Sequence, residues 1–354
     1  MATSYQVDVT VRGGGIFGLA CAYEMARRGA RVRLIETRAL GAGASGGTVG
    51  ALAPHVPENW NPKKQFQLES LLMAPVFWAE VAAAGGQDAG YAQTGRLQPL
   101  ADAEAVARAE SRAEGAATLW QGQASWRVVP AGQFSGLVPP SPTGLLVHDT
   151  LTGRANPRGA VAALAAAITA LGGQIVIGEP SDQTPDQGPV IWATGAPGLA
   201  DLNAALAHPV GGGVKGQSAL LAYDAGPVPQ LYAEGLLIVP HADGTVAVGS
   251  TAERDYDDPT STDAQLEALI DRARQMLPPL GSAPVIDRWA GIRPRASSRA
   301  PMLGAWPDRP GHFVANGGFM IGFGMAPKVA ATMADLVLEG RDTIPAGFRV
   351  TDNL

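Results

Sequence analysis

Val7-Asp8-Val9-Thr10-Val11-Arg12-Gly13-Gly14-Gly15-Ile16-Phe17-Gly18 is the stretch that decides the fold. It reads as a strand that runs into a G-x-G-x-x-G turn. Such a turn is weak evidence alone. Here a helix-like run follows it, and then Val32-Arg33-Leu34-Ile35-Glu36, a second strand ending in an acid. Gly13 permits the tight turn, Gly15 lets backbone N–H groups approach a pyrophosphate, and Gly18 lets the helix lie close to the strand. Ile16 and Phe17 open that helix, whose N-terminus offers N–H groups and positive dipole to phosphates. Glu36 stands where a carboxylate accepts hydrogen bonds from an adenosine ribose, with Thr37 and Arg38 following. The chain is expected to bind ADP as part of FAD or NAD.

Composition narrows the alternatives. The 354 residues suffice for one large or two intertwined domains. A net charge of −6 and the lack of a basic run argue against a nucleic-acid surface. Lys63, Lys64, Lys215 and Lys328 are the only lysines. The sole cysteine, Cys21, rules out an intrachain disulfide and a Cys-based zinc cluster, and reads as a small buried hydrophobe. No metal is expected. No run of about eighteen apolar residues occurs, so no spanning helix is expected. The first strand leaves no room for a signal peptide, and a cytoplasmic location is the default. A homo-oligomer is left open.

Along the chain, Ile16, Leu19, Ala22, Tyr23 and Ala26 recur at helical spacing up to Gly29. Further helices are expected at 66–81 and 104–119, from Pro157 through Leu171, at 266–277 and at 325–338. Strands are expected at 145–148, 174–177, 190–193, 218–223, 236–240, 245–249, 285–293 and 313–315. Residues 181–188 read as a mobile loop. A parallel α/β pattern thus surrounds an antiparallel insertion.

Three segments bear on which nucleotide is bound. Gly43-Ala44-Ser45-Gly46-Gly47 could pass the pyrophosphate and isoalloxazine, or equally be a flexible surface loop. Val190-Ile191-Trp192-Ala193-Thr194-Gly195 is a strand ending in A-T-G, where glycine permits close backbone approach to ADP. Asn316-Gly317-Gly318-Phe319-Met320-Ile321-Gly322-Phe323-Gly324 precedes the last helix and could lay backbone over a flavin, its helix dipole favouring the reduced ring. An NAD-only dehydrogenase leaves the second and third unexplained.

With these segments the chain resembles the FAD-dependent amine oxidases of the glycine oxidase, D-amino acid oxidase and sarcosine oxidase group. The resemblance is carried by the N-terminal fingerprint, Gly50-Ala51-Leu52-Ala53-Pro54-His55, Thr94-Gly95-Arg96-Leu97 and Ala193-Thr194-Gly195. It continues through Pro240, Asp243-Gly244, Val248-Gly249-Ser250-Thr251, Trp289-Ala290-Gly291-Ile292-Arg293-Pro294 and residues 317–327. It implies an α/β fold, a Rossmann-like FAD-binding domain (1–80, 145–208, 288–354) interleaved with an antiparallel-sheet α+β substrate domain (81–144, 209–287). It implies oxidation of an amino acid's carbon–nitrogen bond by hydride transfer to flavin N5, an imine hydrolysing to a keto acid, and oxygen as acceptor. FAD contacts fall to Gly13, Gly15, Ile16, Phe17, Gly18, Glu36, Thr37, Arg38, Ser45, Gly46, Gly47, Ala51, Ala193, Thr194, Gly195, Gly318, Phe319, Met320 and Ile321.

At the substrate end the resemblance assigns Arg293 to the substrate carboxylate, a pairing the guanidinium fork suits. The other reading is an arginine closing the strand on a domain acid. His55 is a candidate base near the amine, or a histidine bonded to loop backbone. Leu237 stands where relatives carry a carboxylate-holding tyrosine, and Met320 where a polar side chain is usual. Both are read as substrate-pocket residues and suggest an apolar pocket, with Tyr232 a possible replacement. Lys215 matches no oxygen-activating lysine securely. A dehydrogenase passing electrons to a quinone or protein, and a flavin-binding subunit without turnover, are the alternatives.

Overall fold

The computed structural model describes residues 6–178 and 184–354. Two large sheets organise it. In the six-stranded sheet the order is Met302–Ala305 (β15), His312–Asn316 (β16), Val190–Trp192 (β9), Val9–Arg12 (β1), Val32–Glu36 (β2) and Gln174–Ile177 (β8). All pairs are parallel except β15 with β16. Ile16–Arg27 (α1), Pro62–Gly85 (α2), Pro157–Ala170 (α4) and Gly322–Glu339 (α7) pack together over this sheet in the main core. The parallel order β9-β1-β2-β8, with the glycine turn at the end of β1, is the nucleotide-binding pattern expected from the motif.

The eight-stranded sheet has the order Val285–Ala296 (β14), Gly211–Ala222 (β10), Thr245–Gly249 (β13), Leu236–Pro240 (β12), Gln230–Ala233 (β11), Arg96–Pro99 (β4), Leu145–Asp149 (β6) and Trp126–Pro130 (β5). It is antiparallel apart from the β4–β11 pair. Leu266, Leu269, Ile270 and Ala273 of Ala264–Met276 (α6) cover one face, meeting Ala219, Leu221, Ile238, Val246 and Val248. Ala103–Leu119 (α3) lies against β5, mostly exposed. Ala51–Leu52 (β3) and Gly153–Arg154 (β7) form a small ribbon between the sheets.

Helix boundaries follow local chemistry. Asn61 caps α2 by accepting from Lys64 N at 3.1 Å, and Pro62 takes the first position. Asn156 caps α4 through Arg158 N and Gly159 N, again ahead of a proline. By length and composition α2 is apolar enough to cross a membrane, although no such run is expected from the sequence. Phe66, Leu71, Phe77 and Trp78 bury its inner side against α4 and α7.

Several elements differ from expectation. Gly195–Leu206 (α5), β3, β4, β5, β7, β11 and β15 are additions to the expected set. Leu199 and Leu202 of α5 pack on Ala296, Met302 and Val314, so the helix bridges the two sheets. Residues 145–149 and 288–296, assigned above to the nucleotide-binding part, are strands of the eight-stranded sheet. Of the loop expected to be mobile, 181–183 lie outside the described residues. Asp186 pairs with Arg12 at 2.8 Å and the Gln187 carbonyl accepts from Thr10 Oγ1 at 2.9 Å, which ties the rest to β1.

Candidate functional site

A cavity of about 720 Å³ opens where the C-terminal ends of β1, β2 and β9 meet the inner face of the eight-stranded sheet. Its nucleotide half is built by the glycine turn. Gly13 has φ +108°, and a Cβ there would lie 2.4 Å from Ala193 O, so β9 can pass only beside glycine. A Cβ on Gly18 would lie 1.9 Å from Gly13 O, which fixes how closely α1 meets β1. At Gly15 a Cβ would find only Ser45 Oγ, at 3.3 Å, so this backbone faces the open cradle. Glu36 accepts from Gly14 N and Arg38 N, both at 2.8 Å. Ser45 Oγ accepts from Ile16 N at 2.9 Å, which brings the 43–47 loop into the cavity wall.

Three helices begin at the cavity. Gly15, Ile16 and Phe17 of α1, Gly195, Ala196 and Pro197 of α5, and Gly322 and Phe323 of α7 all line it. None of the three has a side-chain N-cap bond. Their first-turn N–H groups and dipoles favour negative charge. Asn316 ties the last two together, donating from Nδ2 to Gly195 O at 2.9 Å and accepting from Gly317 N at 2.7 Å. Phe319 has φ +43°, and its N donates to Pro294 O at 2.9 Å while Arg295 stacks over its ring. A long anionic ligand suits the glycine cradle and the uncapped helix starts.

The other half is a patch of β-sheet. Leu237 pairs with Gly249, Gly249 with Ser218, and Ser218 with Trp289, so the four form one row on one face. Two residues on, Gly216 faces Gly291, and two further, Val214 faces Arg293. The glycine row leaves slots for the neighbouring side chains. A Cβ on Gly291 would lie 2.4 Å from the Trp289 ring, and one on Gly216 would lie 2.0 Å from Arg293 Nη1. Arg293 is 8% exposed. Its Nη1 donates to Thr251 O at 2.8 Å, and among the described residues no acid lies within ion-pair distance. Burial pushes its pKa down to about 10, with the charge of Glu253 acting against the shift. The guanidinium is a cation at neutral pH with donors to spare.

Sixteen of the residues expected to hold FAD line the cavity: Gly13, Gly15, Ile16, Phe17, Glu36, Thr37, Arg38, Ser45, Gly47, Ala51, Ala193, Thr194, Gly195, Gly318, Phe319 and Met320. Leu237 and Arg293 line it as well. Gly18 and Gly46 act behind the wall, the latter by accepting from Arg158 Nε at 3.0 Å. Ile321 caps α7 without lining the space. His55 is not brought to the cavity. Its backbone N donates to Gln67 Oε1 at 2.7 Å, its ring Nδ1 meets the same oxygen, and burial lowers its pKa. Burial pushes Cys21 up to about 12, far from a reactive thiol.

Sequence reasoning missed Trp289, Ser218, Tyr256 and Asn316 as lining residues. Trp289 was readable. It stands four residues before Arg293 on one strand, so period two puts both on one face. Tyr256 lies in a loop without periodicity and gave no signal.

Comparison with known proteins places these features. Residues 8–336 match the family described as FAD dependent oxidoreductase (DAO). A glycine oxidase of Geobacillus kaustophilus is 27% identical over 364 residues, spanning 94% of this chain and 93% of its own. The crystal structure of glycine oxidase from Geobacillus kaustophilus superposes with a TM-score of 0.82 at 23% identity, covering 98% of this chain and 99% of that one. An L-amino acid deaminase from Proteus myxofaciens, solved in complex with anthranilate, gives 0.82 at 17% identity, covering 99% and 94%.

Proposed function

We propose, since the chain belongs to the FAD-dependent oxidoreductase (DAO) family, that it oxidises the amine of an amino acid with an apolar side chain. The amine gives up a hydride and a proton to become an imine, and water converts the imine to a keto acid and a free amine. FAD, when bound in the cavity, would supply the hydride acceptor for that oxidation, and oxygen is the electron acceptor we assign to it. The glycine turn, Ser45 and the α1 N-terminus would hold its diphosphate, Glu36 its ribose, and the α7 N-terminus the polar edge of its ring.

Arg293 carries the reading. A buried guanidinium lining the cavity, with one hydrogen bond made among the described residues, suits a carboxylate that takes two parallel bonds. That pairing turns the substrate's α-carbon toward the ring and fixes it there, which is the positioning such a reaction needs. Leu237, Trp289 and Met320 add apolar surface to the same cavity. Such walls favour a substrate whose side chain is itself apolar, over glycine.

Under anaerobic conditions, apolar amino acids of one hand are expected to bleach the bound flavin at lower concentration than glycine. Bleaching by glycine alone overturns the apolar reading. Peroxide should form in air. Reduction of a quinone-like dye without peroxide points to a dehydrogenase, and a flavin that resists every amino acid yet photoreduces points to a non-catalytic subunit.

A further inference from the structure

Lys215 has no task in the reaction as described. It is the only charged residue of β10, and its side chain is 3% exposed. Its Nζ lies 3.6 Å from Asp263 Oδ2 and 3.7 Å from Glu253 Oε2. Lys215 and Gln217 alternate with Gly216, so they stand on the face of β10 turned away from Arg293 and toward α6, which Asp263 caps. A cation on that side meets neither flavin nor substrate.

The cluster around Lys215 is fully cross-bonded. Gln217 Nε2 donates to Glu253 Oε1 and to Asp263 Oδ1, each at 2.9 Å, and Gln217 Oε1 accepts from Asp263 N at 2.9 Å. Thr251 Oγ1 donates to Glu253 and accepts from Gln217 N at 2.9 Å. Lys215 and Glu253 also exchange two backbone hydrogen bonds of 2.9 Å. Those to Asp263 tie β10 to the start of α6, and those to Thr251 and Glu253 tie residues 251–253 to β10.

That segment departs from regular pairing. Ser218 lies opposite Gly249, yet Lys215 lies opposite Glu253, so 250–252 face only Gly216 and Gln217. This is a β-bulge, the device by which a sheet re-aims a group beside a site. The group re-aimed here is the Thr251 carbonyl. It takes the one hydrogen bond that the Arg293 guanidinium makes among the described residues, at 2.8 Å. Glu253 acts on Arg293 through its charge, but among the described residues its carboxylate is within ion-pair distance of Lys215 and not of Arg293, which leaves the guanidinium available for a second anion.

We propose that Lys215 is a positioning residue for Arg293: with Gln217 it pins the 251–253 bulge whose carbonyl aims the guanidinium at the substrate carboxylate. This rests on Arg293 being the carboxylate anchor. The test titrates benzoate and benzamide into flavin-loaded wild type, Lys215→Met and Lys215→Arg, following flavin absorbance. Lys215→Met should weaken benzoate on the order of tenfold, the size of one charge-assisted hydrogen bond, and leave benzamide unchanged. Lys215→Arg should restore benzoate. Equal benzoate affinity in Lys215→Met and wild type overturns the proposal. So does a parallel loss of benzoate and benzamide, which marks general loosening. If Lys215→Met fails to hold flavin, Lys215→Gln must give the same selective loss. Wild type that binds no benzoate but is reduced by amino acids removes the anchor reading itself, a separate failure.

Discussion

Gly216 touches no ligand in this account, yet its methyl-bearing variant should disable carboxylate binding. In Gly216→Ala the new Cβ would lie 2.0 Å from Arg293 Nη1, 2.1 Å from Cζ and 2.2 Å from Nη2. Gly216 does not occupy the left-handed region, so alanine adds a methyl group without backbone strain. Ordinary contact begins near 3.4 Å, so the guanidinium must retreat by about 1.4 Å. A retreat of that size takes the 2.8 Å bond to Thr251 O out of hydrogen-bonding range. A hydrogen bond to a charged group contributes roughly 1.5–3 kcal/mol, so carboxylate affinity should fall roughly tenfold to a hundredfold. The assay is a benzoate titration followed by flavin absorbance, with flavin content as control. Gly216 does not line the cavity, so the flavin should stay bound. Unchanged benzoate affinity in a fully flavinated Gly216→Ala protein refutes the reasoning.

Three further outcomes are expected. Ser45→Ala removes the acceptor of Ile16 N and should weaken FAD binding about fivefold, for a loss of about 1 kcal/mol, read from flavin release on dilution. Arg293 is pushed down to about 10, so benzoate affinity should be level from about pH 7 to pH 9 and fall as the pH rises through the arginine's range and the cation is lost. A fall already complete near pH 7 would instead implicate a histidine. A catalytic base contributes on the order of a hundredfold or more, but His55 lies outside the cavity, so His55→Ala should leave the rate of flavin reduction within about twofold.

The nucleotide half of the site was legible because its chemistry is local. Gly13, Gly15, Gly18 and Glu36 carry their meaning in spacing alone, since one turn and one helix start satisfy a diphosphate. The 43–47 loop was ambiguous until Ser45 was seen to hold Ile16 N, a contact between residues far apart in the chain. Helix α5 went unread because Gly195-Ala196-Pro197-Gly198 has the composition of a turn, although proline is tolerated in a first helical turn. Its stability comes from Leu199 and Leu202 docking across two sheets. The substrate half depends on register. Leu237, Ser218 and Trp289 share a row only because four strands pair as they do, and no single strand encodes that. His55 is held by Gln67 on the next helix, a contact that sequence spacing does not announce.

Everything proposed for the substrate end depends on Arg293 anchoring the substrate's carboxylate in the cavity. The most direct measurement is an anaerobic titration of flavin bleaching by an apolar amino acid, in wild type and in Arg293→Ala of equal flavin content. The account predicts that the half-reducing concentration rises on the order of a hundredfold in Arg293→Ala, as loss of a paired charge-assisted contact requires. Superimposable titrations of the two proteins would contradict it.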